Sequence, residues 1–246
     1  MDGSPRGVDG RAAETDPTVA GMELVLVRHG EPQWVRDGYN VDDPPLTPRG
    51  QDQAARLAER LADETFDEAY VSPLVRARHT AAPVLARIGR PEVVEDWLEE
   101  IRNPVWHGTP AERAAEAYAA DRARPAHERW DGLEGGEPVR DFVARIRLGA
   151  QLFLAERGIN PAREDLPVWT LREPERRILL VAHAGTNTIV ICHLLGLVPV
   201  PWEWDRFILG HASVTRVEAM PTGEGYAFGL SRLSDVEHLP ADLRTA

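Results

Sequence analysis

Two apolar runs in the chain are each followed closely by a histidine and a glycine. The run MELVLV (22–27) continues into RHGE (28–31), and the run ILLVA (178–182) continues into HAG (183–185). Uninterrupted apolar residues are typical of strands covered on both faces, because an exposed face would show alternating polar residues. The sequence therefore predicts a sheet between two layers, with ionisable residues at the ends of its buried strands.

Helical patterns separate the predicted strands. Thr47 and Pro48 form a helix start ahead of an apolar face that includes Leu57 and Leu61, and Gly89 ends the next helical pattern. We predict helices over 46–64, 74–89, 110–120, 137–158 and 186–197. We predict strands over 22–27, 66–73, 91–96, 177–182, 213–220 and 226–233, and a loop over 160–175. This alternation indicates an α/β fold, with three α/β/α layers and a mainly parallel sheet.

Two parts of the chain fall outside this alternation. Residues 97–135 carry Trp106 and Trp130 among several Pro and Gly residues, which favours a lid over one edge of the sheet. Residues 1–21 are polar and lack the apolar core of a signal peptide, so we expect a disordered N-terminal tail. Residues 22–246 are predicted to form one domain.

The composition disfavours several classes of partner. The chain carries 40 acidic and 28 basic residues, a net charge of −12, which argues against nucleic acid and anionic membranes as partners. Cys192 is the single cysteine, so there is no internal disulfide and no cysteine-based metal site. No apolar run reaches the ~18 residues of a membrane-spanning helix. We therefore expect a cytoplasmic protein, and the sequence leaves open whether it forms a homodimer.

The ends of the predicted strands bring basic residues together. Ligands of open α/β sheets bind beyond the carboxyl ends of the strands. At those ends the sequence places Arg28, His29, Arg76 and His183. Such a pocket suits an anion, and each guanidinium can donate two parallel hydrogen bonds to a phosphoryl group. We therefore expect a small phosphorylated substrate, with simple carboxylate binding as the alternative.

The same residues can perform chemistry on phosphorus. A neutral imidazole is a nucleophile, and neighbouring guanidiniums lower its pKa because they disfavour the charged ring. Guanidiniums also stabilise the transferring phosphoryl group, so neither a metal ion nor another cofactor is required. A carboxylic acid must protonate the leaving oxygen, and the stretch DWLEEI (96–101) offers Glu99 and Glu100. Gly30 and Gly185 would allow the backbone to approach the ligand closely.

Four motifs occur in order along the chain, each at a predicted strand end or helix start. They are RHGE (28–31), LTPRGQDQA (46–54), SPLVRARHTA (72–81) and LVAHAGT (180–186). Together they resemble the histidine phosphatase superfamily, the phosphoglycerate-mutase-like group. The resemblance implies a phosphoglycerate mutase-like fold over about residues 22–235.

The resemblance also implies roles for individual residues. His29 would be the nucleophile that becomes phosphorylated, and Arg28, Arg76 and His183 would complete the phosphate pocket. The family's L-x-E-[IV] pattern falls on residues 98–101. That pattern indicates Glu100 as the acid/base, with Glu99 as the second candidate.

The chain departs from the family pattern beside the nucleophile. Family members often carry Ser or Thr three positions after the nucleophile and Asn six positions after it, whereas this chain has Pro32 and Val35. Asn40 is a candidate substitute. His211 precedes a predicted strand, where a structural hydrogen bond is favoured over contact with substrate.

The expected activity follows from these features. The ERHYG-like segment of the true mutases is absent, and the corresponding residues read EEIRNPVWHG (99–108). We therefore predict a metal-independent phosphatase that hydrolyses a phosphomonoester through a phosphohistidine. Phosphoglycerate mutase-type phosphoryl transfer and a phospholigand-binding module with little turnover are the alternatives.

Overall fold

The computed structural model describes residues 21–246, and the predicted N-terminal tail lies outside these residues except for Gly21. Its strands are β1 (Glu23–Arg28), β2 (Val35–Arg36), β3 (Tyr39–Asn40), β4 (Glu68–Val71), β5 (Ile159–Pro161), β6 (Trp169–Leu171), β7 (Arg177–Ala182), β8 (Val214–Thr222) and β9 (Gly225–Asp235). Its α-helices are α1 (Pro48–Arg60), α2 (Val75–Ile88), α3 (Ala111–Ala123), α4 (Val139–Glu156), α5 (Ala184–Leu194) and α6 (Glu203–Arg206). Within the described residues, every helix is too short or too polar to cross a bilayer.

Seven strands form one sheet in the order β4-β7-β1-β8-β9-β6-β5. Strands β4, β7 and β1 are parallel, whereas β8 is antiparallel to β1, and β9, β6 and β5 continue the antiparallel half. The sheet is therefore mixed, and the prediction of a mainly parallel sheet is wrong. The direction reverses at β8 because residues 195–213 return the chain to the carboxyl end of β1, where Val214 pairs with Val27.

Helices cover both faces of the parallel half of the sheet. Leu24 and Leu26 of β1 pack into an apolar cluster with α4 and α5. Val25 and Val27 point the other way, into a second cluster with α1 and α2. This packing explains the uninterrupted apolar run, because each face of β1 is covered.

Helix boundaries follow local capping. The Thr47 hydroxyl accepts a hydrogen bond from the Gly50 N–H at 3.0 Å, and Pro48 occupies the first position of α1. Gly89 ends α2 in the left-handed conformation, with φ of 67°. Helix α5 begins at Ala184, two residues earlier than predicted, so its N-terminus lies directly after His183.

Two predicted segments differ from the structure. Residues 91–96 form a single bridge, between Val94 and Val71, and not the predicted strand. Residues 160–175 are not a simple loop, because β5 and β6 pair there through Ile159 and Leu171. Three-residue strands are too short to show a periodic pattern, which is why the sequence did not indicate them.

The segment 97–135 contains α3 and a 3-10 turn at Ala126–Asp131. The buried Asn40 amide donates to Thr109 Oγ1 at 3.1 Å and to the Pro110 carbonyl at 2.8 Å, which ties this segment to β3. The segment lies along a cleft at the carboxyl ends of the parallel strands. Its action as a movable lid stays a prediction.

Candidate active site

Three parallel strands deliver the predicted site residues to one rim. Arg28 ends β1 and pairs with Ala182 at the end of β7, so that His29 and His183 follow side by side. Their ring centroids lie 5.1 Å apart. Strand β4 ends beside β7, and Arg76 lies in the first turn of the helix that follows it. The sheet register therefore brings both histidines and both arginines together.

The geometry around His29 fixes which nitrogen is free. His29 is buried, and its Nδ1 lies 2.8 Å from the Gly30 carbonyl. Since a carbonyl oxygen can only accept, Nδ1 carries the proton and Nε2 keeps its lone pair. Burial lowers the pKa of His29 well below 6.5, and His183 and the two guanidiniums lower it further. His29 is therefore a neutral imidazole with a free Nε2 at neutral pH.

His183 is fully buried beside His29. Its Nε2 lies 2.7 Å from the hydroxyl oxygen of Ser72, the residue directly after β4. Burial lowers the pKa of His183 well below 6.5, with the charges of Arg76 and Arg28 as further causes. Its Nδ1 has no hydrogen-bond partner within residues 21–246.

The two guanidiniums carry buried donors that no described residue accepts. They are Arg28 Nε and Arg76 Nε and Nη1. Burial lowers the pKa of Arg76 and lowers that of Arg28 to about 10, yet both stay charged at neutral pH. The Arg76 guanidinium also stacks over the Trp34 ring at 4.8 Å. Buried charged donors without acceptors are costly, so this arrangement favours binding of an anion.

Arg28 is held from behind by a short chain of hydrogen bonds. Its Nη2 lies 3.0 Å from His211 Nε2, and its Nη1 donates to the Leu209 carbonyl. Because a guanidinium only donates, His211 Nε2 accepts and His211 Nδ1 donates to Thr245 Oγ1 at 2.8 Å. Burial beside Arg28 lowers the pKa of His211 to about 3, which keeps this ring neutral. His211 therefore forms the expected structural hydrogen bond, and its partner is Arg28, a residue of the pocket.

Glu100 is the carboxylate of the inner site. Its Oε2 accepts the Gly185 N–H at 2.9 Å, and its Oε1 accepts the Ile101 N–H at 3.0 Å. Burial raises the pKa of Glu100, although these hydrogen bonds and the arginines oppose the rise. Glu99 instead forms an ion pair with Arg102 at 2.7 Å. The structure thus places Glu100, and not Glu99, against the inner site.

The two predicted glycines are required by close contacts within the protein. A Cβ on Gly30 would lie 2.7 Å from the Gly50 carbonyl oxygen in the first turn of α1. A Cβ on Gly185 would lie 2.6 Å from Glu100 Oε1. Gly30 also donates its N–H to Thr80 Oγ1 at 2.9 Å, which ties β1 to α2. These glycines allow α1 and Glu100 to approach the site.

The site opens into a cleft with two chambers. An inner chamber of about 220 Å³ is lined by Arg28, His29, Arg76 and Glu100. An outer chamber of about 730 Å³ continues from it and is lined mostly by aromatic, alanine and charged side chains. Tyr118 of α3 lines both chambers, and the two together could hold a phosphate and an attached organic group.

Pro32 and Val35, the two departures from the family pattern, do not line the inner chamber. Pro32 is buried and bridges to Leu46, whereas Val35 is exposed at the mouth of the outer chamber. Asn40 lines the outer chamber, but its amide hydrogens are committed to the 97–135 segment. The polar lining of the inner chamber therefore comes from other residues, which include Arg28, His29, Arg76 and Glu100.

Sequence reasoning missed several polar residues around the site. Ser72 contacts His183, Thr80 contacts Gly30, and Thr245 contacts His211. Ser72 carried a signal that could have found it, because it stands directly after a buried strand in the motif that also holds Arg76. Thr245 lies far from any motif, so nothing in its local sequence pointed to the site.

Two neutral imidazoles and two guanidiniums, with a carboxyl group alongside, form a pocket whose charge and donors suit a tetrahedral oxyanion at the strand ends of an α/β protein. The chain belongs to the histidine phosphatase superfamily, branch 1, whose family model matches residues 24–226. That match includes every residue of the inner site described above except Thr245.

Individual relatives are similar over most of the chain. Phosphoserine phosphatase 1 of Hydrogenobacter thermophilus is 33% identical over 179 residues, which is 72% of this chain and 77% of that protein. Among solved structures, Mycobacterial hydrolase 2 has a TM-score of 0.66 at 28% identity, covering 91% of this chain and 94% of that one. A mycobacterial glucosyl-3-phosphoglycerate phosphatase solved with VO3 has a TM-score of 0.62 at 28% identity, covering 85% and 97%.

Proposed function

We propose that the protein is a phosphatase that hydrolyses a phosphomonoester through a phosphohistidine at His29. The observation that carries the proposal is the free Nε2 of a neutral, buried His29 beside two guanidiniums with unused donors. Family membership and relatives named as phosphatases support phosphatase-type activity. The phosphohistidine and the substrate are inferences from the geometry.

In the first step the substrate phosphoryl group lies between Arg28 and Arg76. The lone pair of His29 Nε2 forms a bond to phosphorus while the bond to the ester oxygen breaks. The protonated carboxyl group of Glu100 gives its proton to that leaving oxygen, which departs as an alcohol. Burial favours this protonated form because it raises the pKa of Glu100.

The second step releases phosphate and restores the enzyme. Water attacks phosphorus, the bond to His29 Nε2 breaks, and the Glu100 carboxylate takes the water proton. The Arg28 and Arg76 guanidiniums contact the phosphoryl oxygens in this proposal, with His183 beside His29. The N–H groups of Gly30 and Gly185 stay bonded to Thr80 and Glu100. The guanidiniums supply positive charge where the equatorial oxygens gain negative charge, so the proposed reaction needs no metal ion.

The test combines turnover with a trapped intermediate. Wild type should hydrolyse 4-nitrophenyl phosphate in the presence of EDTA, and acid-labile phosphate should be recovered on the protein after rapid denaturation in alkali. His29→Asn should lose both signals, whereas His79→Asn, at an exposed position of α2, should keep both. Loss of activity with EDTA, or full activity of His29→Asn, would contradict the proposal.

Two further measurements separate the alternatives. A mutase-type enzyme would isomerise a phosphorylated hydroxy acid much faster than it releases inorganic phosphate. A binding module would bind inorganic phosphate, measured by calorimetry, without turnover of any ester.

A further inference from the structure

The outer chamber limits which phosphate esters suit this site. We propose that the enzyme prefers monophosphate esters of a bulky, partly apolar alcohol that carries no second anionic group. This inference rests on the proposed function, because it concerns the organic group attached to the phosphate that the inner chamber would hold.

The size of the outer chamber favours a bulky organic group. Its volume is about 730 Å³, against about 220 Å³ for the inner chamber. Small-molecule pockets typically span roughly 300–1,000 Å³, so the outer chamber has room for a group much larger than a three-carbon acid.

The lining of the outer chamber offers flat apolar surface. Trp34, Trp106, Tyr118 and Trp204 supply aromatic rings, and alanines of α3 lie between them. Trp34 and Tyr118 remain 41% and 38% exposed, so that their rings are available to a ligand. Aromatic rings bind apolar and flat groups with little loss of conformational entropy.

The charges of the outer chamber disfavour a second anion. Beyond Arg76 and Glu100, it is lined by five carboxylates, those of Asp42, Asp43, Glu99, Asp121 and Asp205. It has three guanidiniums, those of Arg102, Arg122 and Arg129. The carboxylates outnumber the guanidiniums, so a negatively charged substituent would meet net repulsion.

Two of the three guanidiniums are already paired, and four of the five carboxylates also take part in ion pairs. Arg102 lies 2.7 Å from Glu99, and Arg129 lies 3.4 Å from Asp121. Arg122 is exposed on α3. An exposed arginine gives only a weak anchor for an anion, since solvent and salt screen its charge. The outer chamber therefore lacks a built cradle for a carboxylate or a second phosphate.

Three aryl phosphates with similar leaving groups test the charge preference. They are 4-ethylphenyl, 4-(2-aminoethyl)phenyl and 4-(carboxymethyl)phenyl phosphate, which differ mainly in the charge carried into the outer chamber. We expect kcat/KM for the carboxymethyl ester to be about fivefold below that for the ethyl ester, as one screened repulsion predicts. Equal or faster turnover of the carboxymethyl ester would overturn the inference.

Variants test whether the charge preference arises in the outer chamber. Asp42→Asn with Asp205→Asn should relieve most of the discrimination, whereas Asp63→Asn, an exposed acid outside the chamber lining, should leave it unchanged.

A matched comparison of 2-naphthyl with phenyl phosphate should favour the naphthyl ester, and Trp204→Leu should reduce that preference severalfold. An unchanged naphthyl preference in Trp204→Leu would show that this aromatic wall does not bind the organic group.

The outcomes also separate this inference from the proposed function. If folded wild type hydrolyses no aryl phosphate, the proposed phosphatase activity fails. Binding of the corresponding 4-substituted benzylphosphonates, measured by calorimetry, still decides the charge preference in that case. Equal affinities for the ethyl and carboxymethyl phosphonates would overturn the inference on their own.

Discussion

Replacing Gly185 with alanine would move Glu100 without touching the arginines. Gly185 is the second residue of α5, and its Cβ position lies 2.6 Å from Glu100 Oε1. An ordinary contact at this position begins at 3.4 Å, so the carboxylate must retreat by the difference of 3.4 and 2.6, about 0.8 Å. The backbone N–H that now holds Glu100 at 2.9 Å would remain.

A displacement of this size should slow proton transfer from Glu100. Misplacing a reacting group by roughly 1 Å can reduce the rate about 100-fold, and general acid–base catalysis contributes roughly 10²- to 10⁴-fold. We therefore expect kcat for an alkyl phosphate to fall about 100-fold in Gly185→Ala, which is about 2.7 kcal/mol in activation free energy. Phosphate affinity should change little, because Arg28 and Arg76 keep their positions.

A double-mutant cycle identifies the cause. Steady-state kinetics would be measured for Gly185→Ala, for Glu100→Gln and for the double variant. If alanine acts through Glu100, the double variant should be no slower than Glu100→Gln alone. Gly223→Ala is the matched control, because a Cβ there would meet no atom within 4 Å. A wild-type kcat in Gly185→Ala, or losses that multiply with Glu100→Gln, would refute this reasoning.

Three further predictions concern protons and hydrogen bonds. Burial raises the pKa of Glu100, so kcat/KM for an alkyl phosphate should fall on the alkaline side as the general acid loses its proton. Steady-state profiles should show a weaker fall for 4-nitrophenyl phosphate, whose leaving group needs no proton. Thr245→Val removes the acceptor of the His211 Nδ1 proton and should raise the phosphate Kd about fivefold by calorimetry, whereas Thr245→Ser should not. Burial, with Arg147 as a further cause, lowers the pKa of His193 to about 4. The unfolded chain then binds a proton that the folded state does not, and stability is lost as pH falls from 6.5 towards 4. His193→Leu should reduce this pH dependence by about 1 kcal/mol per pH unit in urea unfolding at mildly acidic pH.

The parallel half of the fold was readable from the sequence, whereas in the antiparallel half β8 and β9 were predicted as strands but their direction was not. Strand β1 is apolar on both faces, and Thr47 with Pro48 marks the start of α1, so local physics specifies both elements. The direction of β8 depends on where residues 195–213 return the chain, which no local pattern encodes. Strands β5 and β6 have three residues each and gain their structure from pairing at the sheet edge.

The same distinction holds within the site. Arg28, His29 and His183 were indicated because each follows or ends a buried strand, and strand ends converge. The contact of Ser72 with His183 joins residues 111 positions apart in sequence. Such pairs depend on the register between strands, and a single sequence carries no direct sign of that register.

The hydrogen bonds behind Arg28 have a consequence for how the protein folds. Arg28 reaches the Leu209 carbonyl and the His211 ring, which lie 181 and 183 positions further along the chain. Contacts over such long stretches close large loops and form slowly, since the loop entropy is lost before the contact is gained. We therefore expect the helical circular dichroism signal to recover before the affinity for anions during refolding. The affinity requires the long-range contacts of Arg28, which form last.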